Sequence, residues 1–284
     1  MTFRAPRPPH AWVHGLTRLA WTLWFLGYPD QAVACIEAAL ACARESAYPY
    51  SLATTLGYAG TLHQLRREPQ VVAQYAEELT ALSTEHGFPQ WMARARLLQG
   101  WLLVRQGQGA EGIAQRQQGI AAWRATGAEV GRASHLIHLA DAYGAVGQPE
   151  AGLEALATAQ ALVDHTGDRW REAELYRLRG ELLLQSGVQE PQSAHRNTHT
   201  EAAEACFWQA LRVARCQEAK SLELRAAMSL SRLWHCQGKR AEARQLLAEV
   251  YGWFTEGFAT ADLQEAKIGL ALLELEQGDT VAER

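Results

Sequence analysis

The sequence predicts an all-α fold, a right-handed α-α superhelix of about six helical hairpins closed by a capping helix. Three observations lead there. Small residues recur every 40 positions, at Ala20, Gly60, Gly100, Ala140 and Gly180. A turn residue follows each by seven positions, at Gly27, Arg67, Gly107, Gly147 and Gly187. A second series of breaks, at Gly87, Gly127 and Gly167, divides each period into two segments long enough for helices of about four turns. No segment alternates apolar and polar residues over a strand length, so no sheet is expected.

The elements follow in order. In the first helix Leu16, Leu19, Ala20, Leu23 and Leu26 recur at helical spacing, and Leu136, Leu139, Ala140, Tyr143 and Val146 repeat that spacing three periods later. First helices are predicted at about 10–26, 50–66, 89–106, 129–146, 169–186 and 219–237. Second helices are predicted at about 30–45, 70–86, 110–125, 149–165, 200–216 and 239–254. The turns between them read Gly27-Tyr-Pro-Asp, Arg67-Glu-Pro-Gln, Gly107-Gln-Gly-Ala, Gly147-Gln-Pro-Glu and Gly238-Lys-Arg-Ala. Glycine takes the left-handed conformation that ends a helix, and proline two residues on suits the start of the next. A thirteenth helix at about 260–276 would cover the end of the stack.

One interval is irregular. After Gly180 the next small residue in phase is Ser231, so 11 extra residues fall in the fifth pair. The polar stretch 188–198, VQEPQSAHRNT, is expected as a loop inserted in a repeat domain spanning 10–276, with tails at 1–9 and 277–284.

The small positions read as helix crossings, where a larger side chain would push the axes apart. The second helices supply a complementary face of small, large and small residues at i, i+4 and i+7: Ala32, Ile36, Ala39; Gly152, Leu156, Ala159; Ala203, Phe207, Ala210; Ala243, Leu247, Val250.

Composition narrows the function classes. An apolar share of 48% and a charged share of 20% fit a folded chain with a real core. A net charge of −4 gives no general attraction to nucleic acid or anionic lipid. The start MTFRAPRPPH resembles no signal peptide and no stretch is apolar enough to span a membrane, so a cytoplasmic protein is expected. Cysteines 35, 42, 206, 216 and 236 form no CxxC pair and read as reduced thiols.

Small, large and small residues, with a glycine turn seven residues after the small position, resemble the tetratricopeptide repeat in a 40-residue form. The phrases LGYPDQA (26–32), EHGFPQW (85–91), RQGQGAEGIAQ (105–115), AWRATGAE (122–129), EAELYRLRGELLL (172–184), AKSLELRAAMSLSRLW (219–234) and YGWFTEGFATADLQEAK (251–267) narrow the likeness. They resemble the C-terminal region of large bacterial signalling proteins. There a class III nucleotide cyclase or another effector, and a signal-transduction ATPase, precede a tetratricopeptide-like superhelix. The resemblance covers about residues 9–276 and implies a sensor or interaction arm. The chain has no GxxxxGK[ST] loop, no cyclase carboxylate pair and no recognition-helix module, so neither ATPase nor cyclase activity is expected of it. It is expected to act in trans or as the tail of a longer ancestor.

The remaining chemical motifs are weak. Gly107-Gln-Gly109-Ala-Glu-Gly112 matches GxGxxG but follows a helix instead of a strand, so no dinucleotide cofactor is expected. His135, His138 and Asp141 share one side of a helix, yet without HExxH spacing they read as polar face residues, and no metal is expected. The pairs His10–His14 and His195–His199 lack a third ligand. No nucleophile, base and orienting acid can be assembled, so no catalytic residue is assigned.

Binding is expected in a concave groove lined by first helices. Residues one and four after each small position, with those a turn or more before it, place there Trp21, Trp24, Gln64, Arg94, Trp101, Arg105, Asp141, Glu174, Arg177, Glu181, Arg225 and Arg232, with His14, Thr17, Thr61 and His235 beside them. Trp21, Trp24 and Trp101 are the expected anchors, against the alternative that they pack between repeats. The expected partner is a protein or peptide segment, including an ATPase or cyclase domain, and not nucleic acid. A small-molecule ligand in the same groove is the alternative.

Overall fold

The computed structural model describes residues 10–46, 48–189 and 193–282. The tail 1–9 lies outside them. Among the described residues there are thirteen α-helices and no strand. They are α1 His10–Phe25, α2 Pro29–Ser46, α3 Pro49–Leu65, α4 Pro69–His86, α5 Pro89–Arg105, α6 Gly109–Ala125, α7 Arg132–Ala145, α8 Pro149–Thr166, α9 Glu172–Gln189, α10 Ser193–Cys216, α11 Lys220–Cys236, α12 Arg240–Tyr251 and α13 Ala261–Ala282. The fold class is the expected all-α stack of hairpins, the α-α superhelix class.

One device turns the chain repeatedly, within hairpins and once between them. After α1, α3, α5, α7, α10 and α11 a residue with positive φ turns the chain: Gly27 (90°), Arg67 (65°), Gly107 (84°), Gly147 (74°), Glu218 (55°) and Gly238 (79°). The next N–H then donates back five residues, as from Glu68 to the His63 carbonyl (3.0 Å), Gln108 to Leu103 (2.9 Å) and Lys239 to Trp234 (2.9 Å). This bond satisfies a carbonyl that the ended helix leaves open. Prolines 29, 69 and 149 then stand first in the next helix, where no N–H is required.

The fifth pair departs from expectation. Of the stretch 188–198, expected as a loop, the described residues are helical: α9 runs on to Gln189 and α10 begins at Ser193, with 190–192 outside the described residues. Polar residues cost a helix only tenths of a kcal/mol each, and adding a turn to an existing helix avoids the nucleation cost. Helix α13 likewise continues to Ala282, beyond the boundary expected at 276.

The chain forms two compact units, one of residues up to Trp24 with Tyr28–Glu129 and the other of Phe25–Gly27 with Val130–Arg284. In the first, α3 packs on both α2 and α4 and also on α5, while α1 reaches α3 through Trp21 and Tyr58. First helices α1, α3 and α5 therefore make one layer and α2, α4 and α6 the other. In the second unit α7, α9, α11 and α13 are successive neighbours, backed by α8, α10 and α12. Its core joins Phe207, Leu211, Leu224, Leu230, Leu247 and Leu263, with a second cluster around Ile137, Leu156, Leu175 and Leu182.

The small positions are buried crossings. A Cβ at Gly180 would lie 2.4 Å from the Phe207 ring, and one at Gly60 2.6 Å from Leu98. At Gly100 it would meet the Gly112 carbonyl at 2.8 Å, and at Gly112 the Gly100 carbonyl at 2.7 Å. The GxGxxG match is thereby explained as packing: its last glycine admits the backbone of α5. The five cysteines are free.

Candidate functional site

In the second unit the first-helix layer carries a continuous set of charges. Helical spacing creates it: Glu174, Arg177 and Glu181 form one stripe of α9, Arg225, Ser229 and Arg232 one stripe of α11, and Ser134, His138 and Asp141 one of α7. Because α7, α9, α11 and α13 are neighbours, these stripes mesh.

Glu174 is at the centre and only 4% exposed. Both its oxygens accept from Arg177, from Nε and Nη2 at 2.9 Å each. Arg225 Nη1 stands 3.6 Å from Glu174, and Arg225 Nε donates to Asp262 of α13 at 2.8 Å. Glu181 gathers the other side, accepting from Ser229 Oγ (2.6 Å), Arg232 Nη2 (3.3 Å) and Arg177 Nη1 (3.5 Å). Arg171, just before α9, donates to Ser134 Oγ at 3.3 Å and contacts His138 Nε2.

The electrostatics follow from burial and charge. Burial alone would raise the Glu174 carboxyl, but Arg177, Arg225 and Arg171 together outweigh it and hold it well below the ordinary carboxylate range. Burial would lower Arg177, yet Glu174 and Glu181 raise it further. Arg171, without a carboxylate of its own at bonding distance, is pushed by burial down to about 10. Two ends of the set reach solvent, Asp141 and Arg232. A cavity of about 230 Å³ opens between α7 and α9, with Asp141, Arg177, Glu181 and Gln185 on its polar side and Gly144 and Leu182 on its apolar side.

The structure thus brings Asp141, Glu174, Arg177, Glu181, Arg225 and Arg232 together. The tryptophan anchors are placed differently. Trp24 is 3% exposed and Trp101 7%, the latter packed with Val72, Ala76 and Leu98, so both are core rings between hairpins. Large rings gain more from burial than any other side chain, and these positions point at a neighbouring hairpin. Trp21 is half-buried, its Nε1 donating to the Tyr58 carbonyl at 3.1 Å. Gln64 and Arg94 are buried and Arg105 is exposed.

Sequence reasoning missed Asp262, Ser229 and Arg171. The 40-residue ruler assigns no small position to the capping helix, so nothing in it pointed to Asp262. Among the described residues no group of three or more His, Cys, Asp or Glu could hold a metal ion, and no helix is long and apolar enough to cross a membrane.

With that geometry in place, the chain can be set beside known proteins. The tetratricopeptide repeat profile matches residues 13–38 and 224–249, which are the hairpins α1–α2 and α11–α12. The chain therefore contains a tetratricopeptide-like repeat region. Solved structures with similarity include a kinesin-light-chain candidate of nearly identical TPR-like repeats from Podosopora anserina, at 17% identity and a TM-score of 0.42, covering 86% of this chain and 95% of that one. A single-substitution form of that protein gives 16% identity and a TM-score of 0.41, covering 86% and 94%. No curated protein matches the sequence.

Proposed function

We propose that this chain is a non-catalytic repeat scaffold of bacterial signalling that binds a segment of a partner protein along the first-helix layer of its second unit. Repeat regions of the tetratricopeptide type generally mediate protein–protein contact, which is the premise. The observation that carries the reading is the meshed charge set on α7, α9 and α11. Its buried members fix one another, while Asp141 and Arg232 offer a carboxylate and a guanidinium to solvent at its two ends. Charges held in place give orientation and register more than raw affinity. Partner residues of both signs would complete the pattern, and the resemblance to ATPase- and cyclase-linked arms makes such a domain the natural partner, in the cytoplasm.

Among the observations behind a ligand-sensing role is the cavity between α7 and α9. Its volume of about 230 Å³ lies below the ~300–1,000 Å³ usual for small-molecule pockets, which suits an inserted side chain better.

The test is affinity capture from a native bacterial lysate with the wild-type chain beside an Asp141→Lys, Arg232→Glu variant of equal helicity. A protein retained by the first and lost by the second is expected. Identical capture by both would reject this surface, and a small metabolite co-purifying with the wild type alone would establish the sensing role.

A further inference from the structure

The last helix of the second unit is apolar on two sides. Leu263, Ala266 and Leu273 of α13 are buried on the side of α11 and α12, its only helix neighbours among the described residues. On the opposite side Ile268, Leu272 and Leu275 stand 59%, 51% and 71% exposed. A helix that ends a repeat stack needs a polar outer face, and a helix apolar all round is a buried one. The outer face of α13 therefore calls for a further covering element.

The spacing of that face fits a second helix. Ile268, Ala271 and Leu275 are all exposed and recur at intervals of three and four, the seam of a two-helix coil, and Leu272 widens it. Ala271 is small and leaves room for a large residue of the covering helix. This face is complementary to itself when turned end for end: Ile268 of one copy meets Ala271 of the other, and Ala271 meets Ile268. In the same register Leu275 lies over Gln264, whose amide already donates to the Phe258 carbonyl.

The charges select the same arrangement. Lys267 and Glu274 are one heptad apart, both exposed, and both on one flank of the seam. In the antiparallel register that joins Ile268 to Ala271, Lys267 of each copy stands opposite Glu274 of the other. Two ion pairs related by a two-fold axis result, whereas parallel copies would set lysine against lysine. Glu274 accepts from Arg244 of α12 at 2.8 Å, a surface pair that holds its carboxylate on that flank.

We propose that α13 joins two copies of this chain as an antiparallel helix pair, with Ile268, Ala271 and Leu275 as the seam and reciprocal Lys267–Glu274 pairs along its edge. The joint uses neither Asp141 nor Arg232, so it goes beyond the partner surface proposed above and either can fail alone. A single helix pair is smaller than the ~1,200–2,000 Å² interface of a stable complex, so a dissociation constant of about 1–100 μM is expected.

The experiment is sedimentation velocity of the full chain from about 1 to about 300 μM, a range that brackets that constant. The wild type is expected to pass from monomer to dimer across it. Ile268→Glu with Leu275→Glu should stay monomeric with an unchanged circular dichroism spectrum, because both side chains are exposed. Lys267→Glu should weaken association at least about tenfold, and adding Glu274→Lys, which restores the pairs in reversed order, should recover it within about threefold. Val130→Glu removes an exposed apolar residue elsewhere in the unit and should leave the dimer unchanged. A wild type that is monomeric throughout would assign this face to another protein's helix and overturn the proposal. So would a dimer that survives the Ile268 and Leu275 changes, an unaffected Lys267→Glu variant, or a charge swap that restores nothing.

Discussion

Single residues show how narrowly some positions are constrained. Ala20 and Ala140 imply that the small position accepts a methyl group, but at Gly100 the added carbon would strike backbone atoms of α6. Gly100→Ala is therefore expected to lose about 1–3 kcal/mol in urea unfolding. Gly15→Ala, where nothing lies within 4 Å, should instead gain about 0.5–1 kcal/mol through helix propensity. Similar changes at both sites would show that the crossing is softer than drawn. Glu174 is constrained by charge. Unfolded, its carboxyl titrates near 4.3, and folded it titrates well below that, so the unfolded chain takes up its proton first as pH falls. Its contribution is thus complete above pH about 4.3 and fades below. Glu174→Gln should cost about 3–5 kcal/mol at pH 7, and that deficit should narrow toward pH 3 in paired denaturation curves. A deficit that stays constant with pH would contradict the charge assignment.

Among the elements, the turns explain why so much of the fold was legible. A glycine seven residues after a small residue states both where a helix crosses and where it ends, and prolines 29, 69 and 149 state where the next begins. Two turns use residues that carry a steric penalty in the left-handed region, Arg67 and Glu218. Glu218→Gly is expected to raise stability by about 0.5–1 kcal/mol, seen as a higher melting temperature; a lower one would mean that the glutamate side chain matters more than its backbone. The start of α10 was not legible, because Ser193 to Thr198 carries loop-like residues whose helicity comes from the helix they extend. Charge stripes on α9 and α11 were legible from spacing alone. The depth of Trp24 and Trp101 was not, since periodicity gives the direction of a side chain and not how much protein lies above it.

At the scale of the molecule, helix contacts within each unit join successive hairpins, so damage should stay within the unit that carries it. Gly100→Ala is expected to speed amide exchange in α5 and α6 and to leave α11 and α12 within about twofold of wild type. Uniform acceleration across the chain would indicate a single cooperative body. The binding reading was half legible for the same reason: a ruler based on repeats finds what recurs, such as Asp141, Glu174 and Arg225 on successive first helices. It does not find what occurs once, such as Asp262 on the capping helix. The meeting of Gly100 and Gly112 has a longer consequence. Backbone atoms of the two helices rest on each other there, with Arg116 and Val104 closing on the same spot, so any added side chain meets main chain that cannot give way. Descendants of this chain could remodel grip, curvature or surface elsewhere, while this one hairpin stays as the fixed datum from which the others vary.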